Sequence, residues 1–202
     1  KKKIIPFLDN LDDIAIYTQS VNTLFKTHNQ VMGLNTDVQG FTSSFTKDPA
    51  IEYEGKNIFI IGAGGVTSSI IAGLHSGINK IYITNRTKEK AEQLKKQDLS
   101  KKIEIIEWGE TPKVCDLVIN TTSVGLKKDE NLDLDFKGYE NKKNVLFYDI
   151  IYNPKETNFL KDARLRGNKT MNGKMMFLNQ AAFAFQKWTN IYPTIDDEVI
   201  KL

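Results

Sequence analysis

Two short segments hold the residues whose types and spacing could do chemistry. The first is Asn57-Ile58-Phe59-Ile60-Ile61-Gly62-Ala63-Gly64-Gly65-Val66. The second, Ile81-Tyr82-Ile83-Thr84-Asn85-Arg86-Thr87, follows about twenty residues later. In each, an apolar, β-branched run ends in residues able to handle a phosphate. Gly62 and Gly64 let the backbone turn sharply and approach a pyrophosphate, whose charge would rest at the N-terminus of the next helix. A site for NAD usually places a carboxylate at the end of the second strand to accept from the ribose hydroxyls. Asn85 and Arg86 stand there instead. A guanidinium suits a 2′-phosphate through charge-assisted, often bidentate bonds, and Thr87, Lys88 and Lys90 add a hydroxyl and two cations. Cations in a helix's first turn oppose its dipole, so a ligand-based reason for them gains weight. The pattern favours NADP over NAD, although a glycine turn alone also serves purely structural ends.

These groups need a scaffold, and the apolar pattern outlines one. Strands are expected at 57–61, 80–84, 103–106, 115–120 and 145–149, with helices near 66–76, 88–97 and 157–166, the last ending at Gly167. Strands alternating with helices predict a doubly wound, parallel, Rossmann-like sheet. Ahead of it, residues 7–20 read as helical through Leu8, Leu11, Ile14 and Ala15. Val21–Lys26 and Val31–Leu34 read as hairpin strands around a turn at His28-Asn29-Gln30, and Phe41–Phe45 opens a further helix. Lys127–Asn144 reads as an irregular connection. Met175–Trp188 has the strongest helical stripe, with Phe177, Ala181, Ala184, Phe185 and Trp188 on one face expected to meet the core, and Gln180 beside Met176 on an adjacent face.

Several polar clusters fall at expected turns and strand ends: Val21-Asn22-Thr23, Asn35-Thr36-Asp37, Asn120-Thr121-Thr122-Ser123-Val124-Gly125 and Tyr152-Asn153-Pro154. Each alone is explained by backbone capping. Their order, together with Gly40, the glycine turn, Asn85-Arg86-Thr87 and the run from Gly173 through Gln180-Ala181-Ala182, resembles the shikimate dehydrogenase family over essentially the whole chain. That family reduces 3-dehydroshikimate to shikimate with NADPH in aromatic amino-acid biosynthesis.

The resemblance implies roles residue by residue. A family lysine eight residues before the position of Asp9, closing a Thr-Ile-Pro-x-Lys type motif, falls on Lys1. Lys1 and Asp37 then match the catalytic pair, while Asn22, Tyr152 and Gln180 match substrate-binding positions alongside them. Gly62, Ala63, Gly64, Gly65, Val66, Asn85, Arg86, Thr87, Lys88, Glu89, Lys90, Ile150, Gly173 and Met176 match positions around NADP, and Asp13 a more variable one. Such a pairing suits hydride reduction of a ketone, which builds negative charge on oxygen and needs a positioned proton donor. Amides and a phenol suit a polyhydroxylated ring acid, because a missing partner leaves a buried polar group unpaired. Val66 stands where the family often has Ala, and Met175 replaces the second glycine of its Gly-x-Gly-Met run. The family's N-terminal segment, on the order of sixty residues with a Ser-x-Ser carboxylate-binding motif, has no counterpart before Lys1.

The expected organisation is therefore a partial N-terminal α/β substrate domain, residues 1–40 joined by C-terminal helices over 176–202, and an NADP-binding domain over 41–175, with the site in the cleft between them. The rest of the composition is ordinary. Of 202 residues, 40% are hydrophobic, enough for a core, and the net charge of +3 gives no case for a nucleic-acid or membrane partner. No apolar run reaches the roughly 18 residues that span a bilayer. Cys115 is the single cysteine and reads as a core residue in a cytoplasmic chain, and His28 and His75 stand apart, suggesting no metal. A monomer or a homodimer is compatible with the sequence. The rival readings are an NAD-using quinate/shikimate dehydrogenase and a non-catalytic dinucleotide-binding module.

Overall fold

The computed structural model describes residues 1–45, 53–74, 77–98 and 100–201. The N-terminal stretch is more broken than its helical spacing predicts. A 3-10 helix covers Lys2–Phe7, strand β1 is Asn10–Leu11, and helix α1 is only Asp13–Thr18. The reason is local. Asp12 caps α1 by accepting from Ala15 N–H at 2.7 Å, and the residues before it extend to pair β1 with a later strand. Strands β2 (Thr23–Thr27) and β3 (Gln30–Leu34) form the expected hairpin, paired antiparallel from Thr23↔Leu34 to Thr27↔Gln30. His28 (φ 45°) and Asn29 (φ 65°) make its left-handed turn. The small sheet has the order β1-β3-β2. Helix α2 is Asp37–Phe45 and so begins one turn before the predicted start at Phe41. Asp37 is its first residue, where a carboxylate complements the helix dipole.

Six parallel strands follow: β4 (Asn57–Ile61), β5 (Lys80–Thr84), β6 (Ile103–Ile105), β7 (Leu117–Asn120), β8 (Leu146–Asp149) and β9 (Lys169–Asn172). Their order is β6-β5-β4-β7-β8-β9. The chain runs outward from β4 through β5 and β6, then returns to β7 on the other side, which makes the gap between β4 and β7 a topological switch point. The helices between strands are α3 (Thr67–Leu74), α4 (Lys88–Gln97) and α5 (Asn158–Leu165). The predicted extension of α3 to 76, with His75, lies outside the described residues. Gly167 follows α5 at φ 82°, as predicted, and Thr157 caps the start of that helix. The sixth strand escaped the sequence reading because Lys169–Asn172 has no apolar run; its register on β8 supplies what its composition lacks. The predicted irregular connection over 127–144 contains one 3-10 turn, Lys137–Tyr139, whose buried tyrosine donates its hydroxyl to Pro112 O. Around it Phe136 packs edge-on against Phe147 and Phe159, with centroids 5.4 and 5.7 Å apart. Cys115 is buried just ahead of β7, and burial pushes its thiol up to about 12.

Helix α6 (Lys174–Thr189) and the short α7 (Asp197–Lys201) complete the chain. Of the predicted core face of α6 only Ala184 is buried; Phe177, Ala181, Phe185 and Trp188 are exposed, and Met176, Asn179 and Ala182 are buried in their place. The face that meets α2 is chosen by close approach rather than by apolar content. A Cβ on Gly40 of α2 would lie 2.7 Å from Gln180 Cβ and 2.8 Å from Met176 O, so only glycine lets the two helices sit this near. The chain divides into two units, one of residues 1–51, 68–75 and 174–202 and the other of residues 52–67 and 76–173.

Candidate active site

In the first unit, Asp37 is the centre of a buried polar cluster. Lys1 Nζ donates to Asp37 Oδ2, and Asn22 Nδ2 donates to Asp37 Oδ1 at 2.8 Å. Asn22 also bonds Thr36: its amide donates to Thr36 Oγ1 at 3.1 Å and its carbonyl accepts from Thr36 N–H at 3.0 Å. Asn35, 1% exposed, accepts from Asp37 N–H at 3.0 Å and donates to Thr18 Oγ1 and Ser69 Oγ at 2.8 and 2.9 Å. Each carboxylate oxygen thus has a donor, which keeps a buried charge from standing unpaired. The Asp37 side chain is 7% exposed and that of Lys1 39%, so the pair has one sheltered and one open end. Three of the sequence-predicted residues, Lys1, Asn22 and Asp37, are joined here. Gln180 stands on the neighbouring α6 beside Gly40 and donates to its own helix at Phe177 O, 2.9 Å. Met176 is buried one turn before it. Asp13 is exposed in the first turn of α1 and joins none of these bonds.

In the second unit, the loops after β4 and β7 and the end of β5 surround a cavity of about 230 Å³ at the switch point. Its lining includes Gly62, Ala63, Gly64, Asn85, Arg86, Lys90, Trp108 and the run Thr121–Val124. The glycines divide their work. Gly62 has φ 108°, and a Cβ there would meet Thr121 Oγ1 at 2.6 Å, so it serves the fold. A Cβ on Gly64 or Gly65 would have nothing within 4 Å, so these two leave an open cradle that a pyrophosphate fits and a side chain would fill. Thr67, fully buried at the start of α3, donates to Gly62 O, accepts from Gly64 N–H at 3.1 Å and lies 2.9 Å from Thr121 Oγ1. Sequence reasoning did not single out Thr67, because one of its partners, Thr121, is supplied by the distant loop after β7.

Asn85 does not face a ligand alone. Its carbonyl accepts from Ala63 N–H at 3.1 Å and its amide donates to Thr87 O at 2.7 Å, tying the glycine turn to the basic loop. Arg86 is exposed and, among the described residues, has no carboxylate partner, as is true of Lys90. Lys88 differs: it is paired with Glu107 beyond β6, and this bond holds its ammonium above the ordinary value. Thr87 precedes α4 without a side-chain capping bond, and Glu89 in its first turn is the one acidic group there. Val66 is half-buried between the cradle and Thr67.

At the far end of the sheet, Gly173 lies against Ile150: a Cβ there would be 2.0 Å from Ile150 O. Gly173 N–H donates to Ile151 O at 3.2 Å and Ile150 N–H to Asn120 O at 3.1 Å. Asp149, fully buried, accepts from Asn120 Nδ2, Ile151 N–H and Thr157 Oγ1 at 3.1, 3.0 and 2.7 Å. Burial pushes its carboxyl up to about 6, and those three bonds pull against the shift. Asp149 therefore staples the loop carrying Ile150 and exposed Tyr152 to the Asn120 loop.

A parallel sheet with an open glycine cradle at its switch point and a basic, carboxylate-free second strand end defines an α/β oxidoreductase of the dinucleotide-binding kind. The chain belongs to the shikimate / quinate 5-dehydrogenase family, whose profile it matches over residues 45–161. It is 49% identical to the NADP(+) shikimate dehydrogenase of Pelagibacter ubique, a match covering 100% of this chain and 74% of that protein. Among solved structures, the shikimate dehydrogenase of Aquifex aeolicus superposes with a TM-score of 0.84 at 34% identity, covering 96% of this chain and 70% of the other. The Thermus thermophilus enzyme, solved with NADP(H) and shikimate, gives 0.83 at 26% identity over 96% and 71%. No helix among the described residues is long and apolar enough to cross a membrane.

Proposed function

We propose that this chain catalyses the reversible, NADPH-dependent reduction of 3-dehydroshikimate to shikimate in aromatic amino-acid biosynthesis. The observation that carries the reading is the Lys1–Asp37 pair, held from its other oxygen by Asn22. When bound, the reduced nicotinamide supplies a hydride to the ketone carbon. The carbonyl π pair then moves onto oxygen, where Lys1 Nζ delivers a proton; in the reverse direction Lys1 recovers it. Asp37 orients the ammonium and accepts from a substrate hydroxyl, and Asn22 keeps Asp37 from rotating away. Tyr152 and Gln180 contribute a phenol and an amide to ring hydroxyls. Gly62, Ala63, Gly64, Gly65 and Val66 cradle the pyrophosphate, Arg86, Thr87 and Lys90 receive the 2′-phosphate, and Ile150, Gly173 and Met176 shape the nicotinamide end. Residues 1–40 with 176–202 would carry the substrate side and 41–175 the cofactor side. We further propose a cytoplasmic enzyme acting as a monomer or homodimer.

The test is Lys1→Ala, followed by NADPH oxidation in the presence of 3-dehydroshikimate. Loss of one positioned proton donor should lower kcat by about 10²–10⁴-fold, with NADPH affinity retained. Unchanged turnover would sink the assignment. The ratio of kcat/KM with NADPH and NADH, which should favour NADPH and collapse in Arg86→Ala, separates this reading from an NAD-using quinate/shikimate dehydrogenase.

A further inference from the structure

The switch-point cavity holds one residue that no part of the dinucleotide motif explains. Trp108 is the single aromatic among its lining residues, and it comes from beyond β6 rather than from the glycine turn or the β5 end. Its position is built rather than incidental. Ile106 N–H donates to Ile83 O at 2.9 Å, and Thr84 Oγ1 donates to Glu107 O at 3.2 Å, which pins the segment just before Trp108 to the end of β5. Gly109 follows at φ 99° and turns the chain away. The half-buried indole packs against the cluster that contains Phe59, Ile61 and Phe147, so it is immobilised from behind while it lines the cavity.

The size and chemistry of the cavity specify a fragment. About 230 Å³ is below the roughly 300–1,000 Å³ of pockets that enclose whole ligands. The remaining lining is the Gly62–Gly64 turn, the amide of Asn85, the side chain of Val124, hydroxyls of Thr121, Thr122 and Ser123, and the cations Arg86 and Lys90. Cations and hydroxyls suit a ribose phosphate. For the faces of a flat, apolar base the lining offers Val124, the indole and, from the β5 end, the planar guanidinium, and of these the indole and the guanidinium stack on π-faces.

We propose that Trp108 is the aromatic wall of an adenine subsite, holding the purine of the dinucleotide beside Arg86. This rests on the cofactor assignment made above. Stacking is blind to the 2′-phosphate, so Trp108 contributes affinity for the adenosine half and Arg86 contributes discrimination.

The probe is adenosine 2′,5′-bisphosphate, which lacks the nicotinamide, titrated calorimetrically into the protein and its variants. Trp108→Ala should weaken its binding by about tenfold or more, and Trp108→Phe by no more than about threefold. Trp108→Ala should also weaken NADPH and NADH alike, leaving their ratio unchanged, whereas Arg86→Ala changes the ratio. The chain has two tryptophans, so in Trp188→Phe the emission belongs to Trp108, and the bisphosphate should quench it. Binding by Trp108→Ala equal to wild type overturns the proposal. So does an absence of quenching in Trp188→Phe when calorimetry shows the ligand bound, a readout that stands even if Trp108→Ala fails to fold. If the wild type binds neither the bisphosphate nor NADPH, the cofactor assignment falls as well, and this proposal with it.

Discussion

Replacing Gly173 by alanine sets two known effects against each other at a position tied to the site. The added methyl would lie 2.0 Å from Ile150 O, 2.4 Å from its carbonyl carbon and 2.9 Å from its Cα. All three are backbone atoms at the end of β8, held by the bonds Ile150 N–H to Asn120 O and Gly173 N–H to Ile151 O. No side chain can swing aside, so the backbone must move by more than about 1 Å, and overpacking of this kind costs about 3 kcal/mol, the upper end of its usual range. Against it, alanine reduces the freedom of the unfolded chain and stabilises by about 0.4–1 kcal/mol. The clash wins, leaving a net loss of about 2 kcal/mol and a fall in Tm of about 4–8 °C for a chain of this size. Because the same displacement moves Ile150, NADPH affinity should fall about tenfold. Gly138→Ala is the control: a Cβ there has nothing within 4 Å, so only the unfolded-state term acts, Tm should rise by about 1–4 °C and affinity should stay unchanged. Scanning calorimetry and cofactor titration decide the matter. A Gly173→Ala protein with wild-type Tm refutes the packing argument; a lowered Tm with wild-type affinity refutes the placement of Ile150 at the cofactor.

Two further outcomes follow from the charges. The Asp149 carboxyl moves from 3.8 to about 6 on folding, so the native state holds a proton that the unfolded state releases, and stability falls as pH rises through that window by about 3 kcal/mol. Asp149→Asn should remove this slope: in urea unfolding its stability relative to wild type should rise between pH 4 and pH 7, and a pH-independent difference would contradict the assignment. Glu107→Gln should free Lys88 from its exposed pair and tighten NADP by about two- to fivefold at low ionic strength, an effect lost in high salt. NADP affinity indifferent to the substitution would place Lys88 out of reach of the phosphate.

What could be read along the chain was whatever rests on neighbours in sequence. Asn57–Ile61 and Lys80–Thr84 are strands because their β-branched runs need burial, and Gly62, Gly64 and Arg86 follow them at the spacing of a dinucleotide turn. The order of the motifs was enough to reach the family. The tertiary structure decided matters that depend on residues far apart. It showed that Asn85 braces Ala63 N–H, that Glu107 claims Lys88, and that Gly64 and Gly65, not Gly62, leave the cradle open. Strand β9, with its polar Lys169–Asn172, is recognisable only through its pairing with β8. The face of α6 misled for the same reason: helical periodicity marks the apolar side, but α2 meets the side where Gly40 permits contact, leaving Phe177 and Trp188 exposed. Local pattern determines which elements form and which chemistry they can offer, because propensity and turn geometry act over a few residues. Which side chain finds which partner is settled by packing between distant segments, and no spacing along the chain encodes that distance.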